Sequence, residues 1–209
     1  MKTISTTTAI AAFALVTLAK LTSAQDWRDD RFTLSSATFA DGATTLPLSM
    51  IYNYPVSGSN SCSLGGGTGL DQSPQLSWTH APRRTHSFVV TTFDVTAGVT
   101  HWGMYNIPAS ITELPENAGV AGSSYGPQVV NVFGDLSYDG PCPPANYPPN
   151  VHHYVFTVYA LDTDLDLPGS ANFPASALTL YRGLEEAGRA GHILASASIT
   201  GLYSTTPGS

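Results

Sequence analysis

Two histidines and an aspartate stand where predicted strands begin or end, and their side chains could hold an anion. His101 opens a predicted strand, 101–107, directly after a tight connection that starts at Asp94. His152 opens a later strand pattern, and Tyr154 shares its face because side chains alternate along a strand. Imidazole N–H and phenol O–H groups donate hydrogen bonds to anions. The spacing therefore indicates a small anion site, although a histidine taken alone is more often a structural, hydrogen-bonded residue.

The alternation along the strand that begins at His101 predicts which side chains accompany it. One face would carry His101, Gly103, Tyr105 and Ile107, and the other Trp102, Met104 and Asn106. A carboxylate near the imidazole fixes its tautomer and favours the cation, which is the better donor to an anion. Asp94 is the candidate for that carboxylate. The same three groups, Asp94, His101 and His152, could instead ligate a metal ion.

The elements that must position these residues are mostly strands. Short runs of β-branched and aromatic residues, bounded by Gly, Pro or Asn, predict strands at 75–78, 87–93, 101–107, 129–133 and 154–161, with a closing strand at 198–203. A helical period appears only late, at Leu180, Leu184, Ala187 and Leu194. Two long stretches, 57–69 and 134–150, are predicted to be loops that rim a site. The pattern favours a mainly β, antiparallel protein.

Five segments in order resemble the successive signatures of the phosphatidylethanolamine-binding protein family, in its bacterial and archaeal branch. They are residues 73–78 (SPQLSW), 101–109 (HWGMYNIPA), 140–144 (GPCPP), 152–162 (HHYVFTVYALD) and 191–195 (GHILA). The resemblance covers roughly residues 31–204. It implies a central antiparallel sheet packed on a smaller one, C-terminal helices, and a surface cavity that accepts phosphate-like headgroups.

Carried over by position, the resemblance implies one set of ligand-binding residues: Asp94, His101, Gly140, Pro141, His152 and Tyr154. It favours an anion pocket over a metal site, so neither a metal nor a cofactor is expected. The family's Asp-Pro-Asp-x-Pro motif is altered, because Thr96 stands in place of the second acid and both prolines are missing. The rim on this side is therefore remodelled, and headgroup specificity does not carry over.

The start of the chain predicts secretion. Residues 1–24 combine a basic residue, an apolar run too short to span a bilayer and small residues before Gln25, which is typical of a signal peptide. Residues 25–209 then form one domain of the family's type. Both lysines fall within the signal, so the rest is more acidic than the net charge of −7 for the whole chain. Such a charge disfavours nucleic acid as a partner, and no later segment predicts a membrane span.

Two cysteines, Cys62 and Cys142, follow the signal. An oxidising compartment makes a disulfide the expected state, with two buried thiols as the alternative. The family resemblance places both residues near the pocket mouth, and we therefore expect them to pair.

Three classes of function stay open. The first is a secreted protein that binds a small anionic or phosphorylated ligand, including a phospholipid headgroup. The second is an extracellular protein-interaction module, such as a protease inhibitor. The third is a pocket that assists a small-molecule conversion, because His and Asp together suit general acid–base chemistry. Neither a His-Glu-x-x-His zinc motif nor a glycine-rich phosphate loop supports this last class, so an enzyme is not the preferred interpretation.

Overall fold

The computed structural model describes residues 31–170 and 172–208. The predicted signal peptide and its cleavage before Gln25 lie outside the described residues. The strands are β1 (Thr33–Ser35), β2 (Pro55–Val56), β3 (Ser59–Asn60), β4 (Leu76–Thr79), β5 (Ser87–Asp94), β6 (Val99–Pro108), β7 (Glu113–Leu114), β8 (His152–Leu161) and β9 (Ile193–Tyr203). A 3-10 turn covers Leu48–Met50, and one α-helix, α1 (Ala177–Arg189), completes the elements found in these ranges.

The central sheet has four antiparallel strands in the order β6-β5-β8-β9. Its two inner strands are nearly continuous runs of buried residues, as expected for strands covered on both faces. Their register places Asp94, the last residue of β5, opposite Tyr154 near the start of β8. The residues predicted to do chemistry therefore meet at one end of this sheet.

A smaller antiparallel sheet, in the order β1-β4-β7, packs against one face of the central sheet. The core between them is aromatic, and Trp78 of β4 meets Phe88 of β5 edge-on with ring centroids 5.1 Å apart. The predicted architecture of a central sheet packed on a smaller one is confirmed. This core fixes the inner face of the strand that ends in Asp94.

The bulges in β6 overturn the predicted alternation. Thr92 pairs with Trp102 while Phe93 pairs with Thr100, so His101 is an extra residue in the ladder. The ring of His101 consequently reaches Tyr154, with centroids 5.2 Å apart, on the core face that also buries Trp102. A second irregularity moves Ile107 onto that same face.

The helix covers the opposite face of the central sheet. Gly103 allows this close packing, because a Cβ there would lie 2.6 Å from Leu180 of α1. Ser176 and Thr179 form a capping box at its start. The family resemblance implied helices at the C-terminal end, and the described residues contain one there, α1. Leu194 lies in β9 and not in the helix, because Gly191 takes a φ of +78° and turns the chain.

The segment 129–133 is not a strand, contrary to the sequence prediction. It follows the edge of β6 through separate contacts, including the N–H of Val129 on the carbonyl of Gly103 at 3.0 Å. The side-chain oxygen of Asn131 then accepts the N–H groups of Phe133, Gly134 and Asp135, which turns the backbone away from the sheet. No helix among the described residues is long and apolar enough to cross a membrane.

Candidate functional site

A buried histidine–aspartate pair lies at the end of the central sheet. Nδ1 of His152 is 2.6 Å from Oδ2 of Asp94, and only 8% and 2% of the two side chains are exposed. The other carboxylate oxygen accepts the N–H groups of Thr96 and Ala97 at 2.9 and 3.0 Å. Asp94 is therefore fully hydrogen-bonded, which a buried carboxylate requires.

Thr96, which replaces the second acid of the family motif, has a structural contact here. Its hydroxyl oxygen accepts the backbone N–H of His153 at 3.1 Å. This hydrogen bond connects the β5–β6 turn to the first residues of β8. The substitution thus removes one negative charge from the rim while keeping a hydrogen-bond acceptor at this turn.

Tyr154 joins the histidine–aspartate pair to the proline-rich loop, residues 134–150. Its hydroxyl group lies close enough to the Asp94 carboxylate and to the backbone N–H of Cys142 for both to act on its pKa. Burial, reinforced by the charge of Asp94, raises the pKa of Tyr154 far above its usual range. The phenol therefore stays neutral and keeps its proton available for Asp94.

His101 has an environment that differs from the sequence-based expectation of a cation. Its Nδ1–H donates to the carbonyl of Asp139 at 2.9 Å. Burial lowers the pKa of His101, and the carbonyls of Asp139 and Gly140 and the charge of Asp94 only partly offset that effect. Desolvation outweighs the attraction of the aspartate, so the neutral imidazole is favoured.

Phe133 covers His101 from the solvent side. The two rings meet edge-on with centroids 5.7 Å apart, and Phe133 also stacks on Tyr52 at 4.6 Å. Phe133 itself is 42% exposed. This aromatic pair forms part of the rim and accounts for some of the burial of the histidine.

Gly140 and Pro141 contribute backbone and shape to the site. A Cβ on Gly140 would lie 1.9 Å from the carbonyl oxygen of Met50, so only glycine permits this approach. The N–H of Gly140 donates to Asp71 at 2.6 Å, and the carbonyl of Pro141 accepts the N–H of Tyr52 at 3.3 Å. The loop is therefore fixed against the segment 50–52.

Three polar residues of the site were missed by sequence reasoning: Asp71, Asn131 and Asp139. The amide nitrogen of Asn131 donates to the carbonyls of His101 and Ser137 and to the Asp139 carboxyl group. Asp139 is 3% exposed, and its carboxyl group is hydrogen-bonded to that of Asp71. The Asn-x-x-Gly letters at 131–134 were the available signal for the turn, but nothing in the sequence indicated that two distant aspartates meet.

The structure pairs Cys62 with Cys142 in a disulfide that spans 80 residues, with Cα atoms 4.4 Å apart. The Tyr203 hydroxyl donates to the carbonyl of Cys62 at 3.1 Å, which connects the bridge to β9. Because Cys142 also contacts Tyr154, the disulfide holds the proline-rich loop against the site.

Other candidate features lie apart from this cluster. The letters of residues 122–126 match Gly-x-Ser-x-Gly, but they form turns and bends and not the strand-to-helix turn of a nucleophile elbow. A cavity of about 270 Å³ is lined by Tyr105, Gln128, Leu167 and Ala175, among others. Within residues 31–170 and 172–208, no three His, Cys, Asp or Glu side chains are arranged to hold a metal ion.

The six residues predicted to bind a ligand thus lie together at one end of the central sheet. Residues 35–204 match the family model described as phosphatidylethanolamine-binding protein. The chain belongs to the phosphatidylethanolamine-binding protein family.

Archaeal and bacterial proteins are among the relatives of this chain. It is 40% identical over 141 residues to a UPF0098 protein of Methanothermobacter thermautotrophicus, a match that covers 65% of this chain and 84% of the relative. The structure of YbcL from Escherichia coli aligns with a TM-score of 0.65 at 30% identity, covering 83% of this chain and 98% of YbcL. A family homologue from Chlamydia trachomatis aligns with a TM-score of 0.60 at 25% identity, covering 83% and 97%.

Proposed function

We propose that this chain binds a small anionic group, such as phosphate or a phosphorylated headgroup, through His152. The observation that carries the proposal is the buried contact of 2.6 Å between His152 Nδ1 and Asp94 Oδ2. Because the carboxylate occupies Nδ1, the ring nitrogen left for a ligand is Nε2. An imidazolium Nε2–H donates a short, charge-assisted hydrogen bond to an anion.

The burial of the cluster limits what can bind. Asp94, His101, Gly140, Pro141, His152 and Tyr154 are all buried. Only a small part of a ligand can reach residues this buried, so any longer chain attached to it has to remain outside. The exposed aromatic rim at Phe133 and Tyr52 is suited to contact that outer part.

Calorimetric titration with inorganic phosphate and with phosphoethanolamine tests this proposal. We expect His152→Ala to weaken binding about 10- to 100-fold, the effect of one charge-assisted hydrogen bond. His153→Ala is the matched control, because this neighbouring histidine is exposed and faces away from the cluster. His101→Ala should also weaken binding, through loss of the pocket wall. Equal affinities for wild type and His152→Ala would overturn the assignment.

A second titration distinguishes a lipid headgroup from a soluble phosphorylated ligand. Vesicles of phosphatidylethanolamine, vesicles of phosphatidylcholine and free phosphoethanolamine present related headgroups with and without a membrane. If the protein binds free phosphoethanolamine and neither kind of vesicle, the ligand is a soluble phosphorylated molecule. Retention on phosphatidylethanolamine vesicles that phosphate competes away indicates a lipid headgroup.

A protein-interaction role is the second candidate, and one surface favours it. Tyr54, Val56, Leu64 and Leu70 are each at least 50% exposed on the segment 54–70, which holds the β2–β3 hairpin. Exposed apolar side chains grouped in this way are typical of partner-binding surfaces. In inhibition assays with extracellular proteases, this role predicts that Tyr54→Ser reduces inhibition and His152→Ala does not.

We also propose that the protein is secreted after cleavage before Gln25. The support is the signal-like composition of residues 1–24 and the disulfide, which persists in oxidising compartments. N-terminal sequencing of the protein from culture medium tests both parts, and a chain retained in the cytoplasm with Met1 intact would contradict them.

A further inference from the structure

A pair of hydrogen-bonded carboxyl groups lies beside the candidate site. Oδ1 of Asp71 accepts the N–H of Gly140, the residue after Asp139, at 2.6 Å, and this brings the Asp71 carboxyl group into hydrogen-bonding contact with that of Asp139, 68 positions away in the chain. A carboxylate is only an acceptor, so a hydrogen bond between two carboxyl groups requires one proton on the pair. Asp139 also accepts the amide N–H of Asn131, which leaves its own proton to reach Asp71.

No basic side chain of the described residues forms an ion pair with Asp71 or Asp139. The groups that face the two carboxyl groups are the carboxylate of Asp135, the phenols of Tyr52 and Tyr138, and the His101 ring on the Asp139 carbonyl. The two phenols keep their protons, because burial and the nearby carboxylates raise the pKa of each tyrosine. A proton between the carboxyl groups is therefore the available compensation.

The same two aspartates hold two residues of the candidate site. The carbonyl of Asp139 accepts His101 Nδ1–H at 2.9 Å. Oδ1 of Asp71 accepts the N–H of Gly140 at 2.6 Å. Separation of the carboxyl groups would move the backbone that supports the imidazole and the loop that forms the opposite wall.

We propose that Asp71 and Asp139 share one proton and act as positioning residues for His101 and Gly140, so that removal of this proton weakens anion binding. The proposal rests on the proposed function for its effect on binding. The shared proton itself can be tested without any ligand.

The electrostatics of the pair agree with this role. The pKa of Asp139 is raised to about 7, mainly by burial and in addition by the charges of Asp71 and Asp135. The hydrogen bond from Asn131 acts in the opposite direction. Burial also raises the pKa of Asp71, while the N–H of Gly140 and the bond to Asp139 lower it. Above neutral pH the pair carries two negative charges in contact, and they repel each other.

The variant Asp139→Asn separates this effect from the titration of a histidine in the pocket. The asparagine oxygen can accept from Asn131, and its amide N–H can donate to Asp71, so the variant keeps the hydrogen bonds of the protonated aspartic acid at every pH. Asp135→Asn is the matched control, because it removes a nearby exposed carboxylate that is not part of the shared hydrogen bond.

The binding experiment is calorimetric titration with inorganic phosphate from about pH 5.5 to about pH 8.5. We expect the affinity of the wild type and of Asp135→Asn to fall by about tenfold more over this range than that of Asp139→Asn, since one additional proton is linked to binding. Identical pH profiles for the wild type and Asp139→Asn would overturn the positioning role.

Carbon-13 NMR of the aspartate carboxyl groups in the ligand-free protein tests the shared proton. We expect the Asp139 carboxyl group to titrate near neutral pH and Asp71→Asn to lower that midpoint, because the neighbouring charge is removed. A midpoint for Asp139 in the ordinary aspartate range would overturn the shared proton. If phosphate fails to bind the wild type at any pH, the proposed function and the positioning role both fall, whereas a neutral midpoint would still establish the proton.

Discussion

Phe133 lies edge-on against His101, with ring centroids 5.7 Å apart, and it is the partly exposed residue of the two. His101 is thus shielded by a side chain from the loop that follows the edge of the sheet. Since burial is the main cause of the lowered pKa of His101, this contact contributes to keeping the ring neutral.

Replacement of Phe133 by alanine should therefore raise the pKa of His101 towards its ordinary value. In the wild type, the lowered pKa means that the unfolded chain takes up this proton more readily than the folded one, so stability decreases as pH falls below about 6.5. The variant should lose part of that pH dependence. Proton NMR titration of the imidazole provides the measurement, with Val132→Ala as a control that leaves the midpoint unchanged.

Replacement of Asp94 by asparagine should destabilise the fold by about 2 to 4 kcal/mol, because an amide donor would face the Nδ1–H of His152 in a buried position. Asp164→Asn is the matched control. Asp164 lies 3.5 Å from His86 with both side chains more than half exposed, and such a pair contributes about 0.5 kcal/mol or less. Urea unfolding near pH 6 measures the stability of the two variants. Equal losses of stability would contradict a stabilising role for the buried contact of Asp94 with His152.

Replacement of Gly140 by alanine should cost about 2 to 4 kcal/mol, because the added Cβ meets the backbone of residues 50–52 and not a flexible side chain. Gly188→Ala is the control within α1, where the nearest atom is Ile193 Cδ1 at 3.6 Å. That change should stabilise the protein by about 0.5 to 1 kcal/mol. Thermal unfolding distinguishes the two, and similar effects at both positions would mean that the loop at Gly140 is free to move.

Removal of the disulfide by a Cys62→Ala and Cys142→Ala double substitution should lower stability by about 4 kcal/mol, the chain-entropy value for a closed loop of 80 residues. Phosphate binding should weaken as well, since Cys142 contacts Tyr154. Denaturant unfolding with and without a reductant measures the first effect. The double variant should be insensitive to the reductant, and a wild type that is equally insensitive would contradict the prediction.

The sequence predicted the sheet because its strands are short, β-branched and bounded by turn residues. The ranges 87–93 and 154–161 differ from β5 and β8 by only one or two residues at an end. Segment 129–133 has the same composition, but the side chain of Asn131 captures three backbone N–H groups there, and such a local competition is not visible in the strand pattern.

The candidate site was predictable in its residues and less so in its electrostatics. Family motifs were sufficient to select Asp94, His101, His152 and Tyr154, which the structure brings together. The expectation that Asp94 favours the cationic form of His101 was wrong, because burial lowers the pKa of the ring by more than the charge of Asp94 raises it. The Asp71 contact with Asp139 depends on tertiary structure in the same way.

The bulge at His101 carries an evolutionary consequence. The ladder between β5 and β6 is paired on either side of this one residue, through Thr100 and Trp102. Deletion of a single codon would close the ladder at this position and leave the sheet without its imidazole there, while the second irregularity between Phe88 and Val90 would remain. A sheet of this kind can therefore gain or lose the side chain at a bulge by one insertion or deletion, while the strand pairing on either side of the bulge is inherited.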